Sequence, residues 1–140
     1  DYWVDKVDEW CTRDCLLSKA NGVMRVELPG KQNQHRIMRG IVAEGGAMEL
    51  RFRARSRGAG PVTFTWGTVS VFSDPANAAP VKLVTDGNWR EYAVPFQAEG
   101  TLALLAFNFD PGEGSVEFDW IRLFGNGKGG RQLVKDWTFA

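Results

Sequence analysis

Three arginines at alternate positions have the chemistry to bind an anionic ligand. Arg51, Arg53 and Arg55 are each separated by one residue, so a β-strand would place their side chains on one face. Guanidinium groups make two-point hydrogen bonds with carboxylate and sulfate oxygens. The stripe therefore predicts a site for an acidic or sulfated polysaccharide, with Asn108 as a further polar contact if the strands are suitably arranged.

The same stripe has a simpler interpretation, which we favour. Arginines often lie on a solvated sheet face, where carboxylates on neighbouring strands balance their charge. Glu49 and Glu91 are candidate partners of this kind. In that case the arginines stabilise the sheet and bind no ligand.

Aromatic side chains are the second group with suitable chemistry. A planar ring packs against the C–H face of a pyranose, while nearby polar groups bond to its hydroxyls. The chain has six tryptophans. Trp3 and Trp10 lie in an irregular N-terminal segment and are expected to reach solvent. Trp66 and Trp89 are also candidate platforms, although the core and the sheet edge are competing structural roles for them.

A pair of carboxylates near the end of the chain has the spacing of a catalytic strand. Glu117 and Asp119 are similar to the first two acids of the Glu-x-Asp-x-x-Glu strand of retaining β-sandwich glycosidases. Arg122 occupies the third position, so the acid/base partner is missing. With His35 as its single histidine, the chain also offers no convincing Ser-His-Asp set. We therefore expect no enzymatic activity.

The two cysteines, Cys11 and Cys15, are separated by three residues. Structural zinc requires four ligands, and one histidine is too few to complete such a site. The pair could form a disulfide in an oxidising compartment or remain as two thiols. The sequence leaves both alternatives open.

Composition predicts one globular domain covering residues 1–140. The 17 basic and 17 acidic residues give zero formal net charge, so no overall field attracts nucleic acid or an anionic membrane. No apolar run approaches the roughly 18 to 20 residues of a membrane span. Because the chain begins at Asp1 rather than methionine, we expect a mature fragment or an excised domain.

Strand periodicity explains how these residues would be positioned. The clearest alternation places Met48, Leu50, Phe52 and Ala54 opposite the arginines. Segments bounded by glycine, proline, asparagine and aspartate predict further strands at 23–28, 35–42, 62–66, 81–84, 89–96, 105–109 and 116–118. The pattern is typical of an all-β, antiparallel two-sheet β-sandwich (jelly roll) with about eight or nine strands.

The remaining segments lack a clear period. Residues 3–17 are predicted to be a loop with at most one helical turn, and residues 73–80 a loop. Residues 125–140 form a glycine-rich tail that ends in an apolar, strand-like piece. This piece either pairs with the N-terminal segment, which we slightly favour, or begins a following module.

A family resemblance adds to this reading over residues 16–124. The chain resembles the carbohydrate-binding-module-like (galactose-binding-like) β-sandwich domains beside bacterial sulfatases and glycoside hydrolases. The resemblance rests on the order and spacing of several segments: LSKANGVMRVELPG, GAMELRFRARSRGAGPVTFTWGT, DGNWREYAVPF, TLALLAFNFDP and VEFDWIRL.

The resemblance implies a non-catalytic, monomeric module, secreted or periplasmic, that targets an attached catalytic domain to a polysaccharide or oligosaccharide. It also implies a structural Ca²⁺, with Asp119 as a ligand and Glu9 or Asp14 completing the oxygen donors. Two other functions stay open. One is a structural accessory domain that binds no glycan, and the other is a small β-sandwich polysaccharide lyase or hydrolase.

Overall fold

The computed structural model describes residues 6–30, 35–127 and 130–140. Twelve strands lie within these residues: β1 (Lys6–Val7), β2 (Trp10–Arg13), β3 (Leu16–Ala20), β4 (Val23–Pro29), β5 (His35–Ala43), β6 (Gly46–Arg57), β7 (Pro61–Thr68), β8 (Ala78–Lys82), β9 (Arg90–Ala98), β10 (Leu102–Phe109), β11 (Glu113–Gly127) and β12 (Gly130–Trp137). The described residues contain no helix long and apolar enough to cross a membrane.

The strands form two antiparallel sheets. In the first sheet the spatial order is β1-β2-β5-β10-β7-β8, and in the second it is β3-β4-β11-β6-β9. The long strand β11 pairs with β6 on one side, while on the other its first half pairs with β4 and its second half with β12. The predicted all-β sandwich is therefore confirmed.

Aromatic rings from both sheets fill the core between them. Phe107 of β10 contacts Phe52 of β6 and Phe118 of β11, with ring centroids 5.2 Å apart in each pair. The predicted inward set on β6 is confirmed, since its members are all buried: Met48, Leu50, Phe52 and Ala54. Burying a large apolar side chain such as Phe52 contributes roughly 1.5–3 kcal/mol, so this layer stabilises the sandwich.

The number of strands exceeds the expected eight or nine because of the N-terminal segment. Residues 6–17 were expected to be a loop, but they contain β1, β2 and the start of β3. The strand predicted at 81–84 is β8, which begins at Ala78, within the loop predicted at 73–80. These strands have two to five residues, and so short a segment cannot show its period clearly.

The C-terminal tail does form a strand, but its partner differs from the one we favoured. β12 pairs with β11 rather than with the N-terminal segment. Its contact with that segment is made through side chains, because the ring of Trp137 meets the ring of Trp10 edge-on at 5.3 Å.

Cys11 and Cys15 form no disulfide in the described structure. The thiol of Cys15 instead donates to the carbonyl of Arg36 at 3.6 Å, and that of Cys11 to the carbonyl of Glu9 at 3.6 Å.

Candidate functional site

The predicted arginine stripe lies on the outer face of the second sheet, and each arginine has a carboxylate partner. Arg51 Nε is 2.7 Å from Glu49 Oε1. Arg53 Nη1 is 2.8 Å from Asp119 Oδ2, and Arg55 Nε is 2.6 Å from Glu117 Oε1. Carboxylates of the same sheet thus pair with the stripe, as in the interpretation we favoured, and two of them are shared: Glu49 also pairs with Arg131, and Glu117 with Arg25.

Of the two carboxylates that the sequence suggested as partners, one pairs with the stripe in the described structure. Glu49 does pair with an arginine, but Glu91 does not, even though β-strand register places it opposite Arg53. Arg53 instead pairs with Asp119, which lies 66 positions away in the sequence. Half-exposed pairs of this kind each contribute only about 0–1 kcal/mol.

Trp89 supports two of these arginines rather than presenting an open ring. The guanidinium carbons of Arg53 and Arg55 lie 4.9 Å and 4.7 Å from the centroid of its ring. A cation at this distance is attracted by the negative face of an indole. The half-buried ring of Trp89 is therefore already in contact with two arginines of the second sheet.

The candidate catalytic and metal-binding carboxylates serve as counter-ions. Glu117 contacts both Arg55 and, at 3.7 Å, Arg25, and Asp119 contacts Arg53. Glu9 and Asp14 lie at the turns on either side of β2. No three histidine, cysteine, aspartate or glutamate side chains among the described residues form a group able to hold a metal ion. Asp119, Glu9 and Asp14 therefore do not come together as a group of three, and calcium binding stays a prediction of the resemblance.

The other candidate platforms are covered or lie outside the described residues. Trp10 was expected to reach solvent, but this expectation is wrong, because its side chain is 0% exposed between the sheets. Trp66 is 9% exposed, and its Nε1 donates to the carbonyl of Gln97 at 3.1 Å. Trp3 lies outside the described residues. The structure therefore leaves Trp10 and Trp66 little ring surface for a sugar.

The outer face of the first sheet carries a groove of about 460 Å³. Its floor consists of side chains from three adjacent strands: Arg36 and Met38 of β5, Leu104 and Ala106 of β10, and Thr65 of β7. One wall is formed by Phe72, Ser73, Asp74 and Pro75, from the loop between β7 and β8. A volume of this size is typical of small-molecule sites.

Backbone hydrogen bonds hold this wall against β7. The amide of Thr68 donates to the carbonyl of Val71 at 3.0 Å, and that of Trp66 to the carbonyl of Asn77 at 3.3 Å. The loop passes so close to Gly67 that a Cβ atom there would lie 2.1 Å from the carbonyl oxygen of Phe72. The wall is therefore built into the fold, and it holds Phe72 with 59% of its surface exposed.

A buried amide organises the polar part of the floor. Asn108 accepts a hydrogen bond from Arg36 Nε through its Oδ1. Its Nδ2 donates to the carbonyl of Thr63 at 3.0 Å and to the hydroxyl of Thr65 at 2.9 Å. Nη1 of Arg36 contacts Met38 Sδ at 3.9 Å, and Nη2 of Arg36 has no hydrogen bond to any described residue.

The electrostatics of Arg36 differ from those of the paired arginines. Burial, together with the nearby charge of Arg13, lowers the pKa of Arg36 from its ordinary value. Both effects disfavour a charged guanidinium, although an arginine stays protonated at neutral pH. The groove thus contains a guanidinium that pairs with no carboxylate among the described residues.

The groove combines the features that a sugar ring requires. Met38, Leu104 and Ala106 provide an apolar floor, Phe72 an exposed aromatic ring, and Thr65 and Arg36 polar groups in fixed positions. An apolar surface packs against the C–H face of a pyranose, while the polar groups hydrogen-bond its hydroxyls.

The groove contains little of the predicted site. Among the predicted residues, Trp66 lines the groove and Asn108 bonds to two residues that line it, Arg36 and Thr65. Arg51, Arg53 and Arg55 lie on the other sheet, with Trp89 against two of them. Sequence reasoning missed Arg36, Met38 and Phe72. The alternation of β5, which places His35 and Ile37 inward and the intervening Arg36 outward, was the available signal for the first two.

Comparisons with solved structures identify the fold. The chain is similar to a family 4 carbohydrate-binding module at 17% identity, covering 83% of this chain and 94% of that one, with a TM-score of 0.67. It is also similar to a family 35 module from Clostridium thermocellum, at 13% identity, 86% and 95% coverage and a TM-score of 0.61. A family 61 module in complex with β-1,4-galactotriose matches at 10% identity, 85% and 90% coverage and a TM-score of 0.59.

The sequence itself matches no protein-family profile and no curated protein. The structural matches nevertheless show that the chain has the β-sandwich fold of carbohydrate-binding modules, as the resemblance implied.

Proposed function

We propose that this chain is a carbohydrate-binding module that holds a polysaccharide or oligosaccharide in the groove of its first sheet. The fold shared with carbohydrate-binding modules supports a binding role. The observation that carries the proposal is the groove itself, where an apolar floor, an exposed aromatic wall and an ordered polar network meet in about 460 Å³.

In this mechanism the groove binds a sugar by two kinds of contact. One ring lies over Leu104 and Ala106, with Phe72 against its exposed side, so that apolar surface leaves water. The hydroxyl of Thr65 and the free N–H groups of Arg36 then bond to sugar hydroxyls. Because the polar groups are already ordered by Asn108, little conformational entropy is lost on binding.

The biological consequence is targeting. Weak binding to a polymer keeps an attached catalytic domain near its substrate and so raises the effective substrate concentration. Polysaccharides of this kind lie outside the cell, so the proposal includes a secreted or periplasmic monomer attached to a larger enzyme. It extends to acidic and sulfated polysaccharides as well as neutral ones.

Affinity electrophoresis of the isolated chain in gels containing neutral, uronic or sulfated polysaccharides tests this proposal. We expect at least one polymer to retard the wild type and Phe72→Ala to lose about tenfold in affinity, because the exposed ring is removed. The control is Leu133→Ala, which removes a comparably exposed apolar side chain from the second sheet. Retardation by none of the polymers would contradict the proposal and favour a structural accessory domain.

A further inference from the structure

Arg36 differs in its partners from the three arginines of the second sheet. Its side chain contacts the amide of Asn108 and the sulfur of Met38, and no carboxylate among the described residues pairs with it. Arg51, Arg53 and Arg55 each have such a partner. Arg36 is therefore a guanidinium of the groove without the carboxylate pairing that the stripe has.

A second arginine lies beside Arg36. β-Strand register places Arg13 of β2 directly opposite Arg36 of β5. Like charges at such neighbouring positions destabilise each other. An anion bound beside Arg36 would relieve this repulsion as well as pair with the guanidinium.

The groove is also polarised across its width. Arg36 lies on β5, on one side of β10, whereas Asp74 belongs to the loop that follows β7 on the other side. One carboxylate oxygen of Asp74 accepts a hydrogen bond from the amide of Ala76 at 2.9 Å. A sugar with an acidic substituent would thus lie with that group toward β5 and its neutral ring over Leu104.

We infer that the groove selects sugars that carry an oxyanion, either a carboxylate or a sulfate ester, and that Arg36 pairs with that group. This inference rests on the proposed function, because it names the ligand class of the same groove. The planar guanidinium offers free N–H groups in the geometry that both oxyanions accept. The shared chemistry is the oxyanion, and experiment separates its two sources.

The test uses matched polymers that differ only in charge. A polyuronate is compared with its carboxyl-reduced form, and a sulfated galactan with its desulfated form, by affinity electrophoresis of the wild-type chain. We expect at least tenfold stronger retention by one acidic polymer than by its neutral form, and the pair that shows it identifies carboxylate or sulfate. Salt should weaken this retention.

Variants assign the effect to Arg36. Arg36→Gln should lose at least tenfold in affinity for the acidic polymer, whereas the control Arg51→Gln removes the same charge from the other sheet and should bind as the wild type does. Arg36→Lys retains the charge but not the two-point contact, so it should fall between them. Denaturant unfolding of each variant checks that it is folded. If Arg36→Gln is unfolded, the affinity of Arg36→Lys provides the test.

Each contrary outcome has a distinct meaning. Equal retention by the acidic and neutral forms would overturn this inference while supporting glycan binding in the groove. Equal losses in Arg36→Gln and Arg51→Gln would also overturn it, since the effect would then come from net charge. No retention by any polymer would instead contradict the proposed function.

Discussion

At the scale of single residues, Asn108 connects the polar side chains of the groove floor. Its side chain is 2% exposed and joins three neighbouring strands, because it contacts Arg36 on β5 and Thr63 and Thr65 on β7. Among side chains of this size, an amide offers both an acceptor and two donors. From β10 it therefore donates to β7 and orients the guanidinium of Arg36 on β5.

We expect Asn108→Ala to lower the free energy of unfolding by about 1–3 kcal/mol, because it leaves buried polar partners without hydrogen bonds. It should also weaken glycan retention, since Arg36 loses its anchor. Urea denaturation measures the first effect. The control is Asn126→Ala, whose loss should stay within about 0.5 kcal/mol as for most surface substitutions. Equal losses in both variants would show that the Asn108 network contributes little.

Residue type alone could not place the candidate ligand contacts. The sequence predicted Asn108 and the guanidinium groups of the stripe, and the structure pairs Asn108 with Arg36 instead. The guanidinium belongs to Arg36 rather than to the stripe, because Arg51, Arg53 and Arg55 are matched by carboxylates on their own sheet. Counter-ions from distant segments cannot be identified from the local sequence.

At the scale of elements, the end of β7 and the loop that follows it form the wall of the groove. Gly67 lets the loop carbonyl of Phe72 approach β7 closely. Thr68 then fixes the turn, because its backbone amide and its hydroxyl both bond to Val71. The position of Phe72 thus depends on one residue without a side chain.

We expect Gly67→Ala to weaken glycan retention about tenfold, because its Cβ would lie 2.1 Å from the Phe72 carbonyl and force the wall to move. The matched control is Gly40→Ala on β5, where a Cβ would meet no atom within 4 Å. Affinity electrophoresis of both variants measures the difference. Wild-type retention by Gly67→Ala would mean that the wall takes no part in binding.

Element prediction succeeded where strands were long and failed where they were short. The alternation of β6 predicts its buried and exposed sides correctly over a strand of 12 residues. In β2, with four residues, the same period cannot be distinguished from the near-helical spacing of Val7, Trp10 and Leu17. The burial of Trp10 was missed for this reason.

At the scale of the whole molecule, the C-terminal strand links the two sheets. β12 pairs with β11 of the second sheet, and its Trp137 packs against Trp10 of the first. Trp137 also lies 5.7 Å from the guanidinium carbon of Arg39 on β5. These contacts place Trp137 in the sandwich core, whereas the rest of the strand, residues 130–136, is exposed.

We expect Trp137→Ala to lower the free energy of unfolding by roughly 3–5 kcal/mol, the usual cost of removing a buried aromatic ring. Leu133→Ala on the same strand is the control, and its exposed side chain should cost less than about 1 kcal/mol. Urea denaturation followed by tryptophan fluorescence and by circular dichroism measures both. A single transition by both probes is expected, and similar losses in the two variants would contradict a core role for Trp137.

The sequence by itself determined the all-β class, most of the longer strands and the inward face of β6, because strand periodicity is a local property of neighbouring residues. Only the tertiary structure decided which strands are adjacent. Adjacency brings Asp119 to Arg53 across 66 positions and Asn108 to Arg36 across 72. It thereby neutralised the predicted stripe on one sheet and assembled the groove on the other, since charge balance and concavity arise from residues that are distant in the chain.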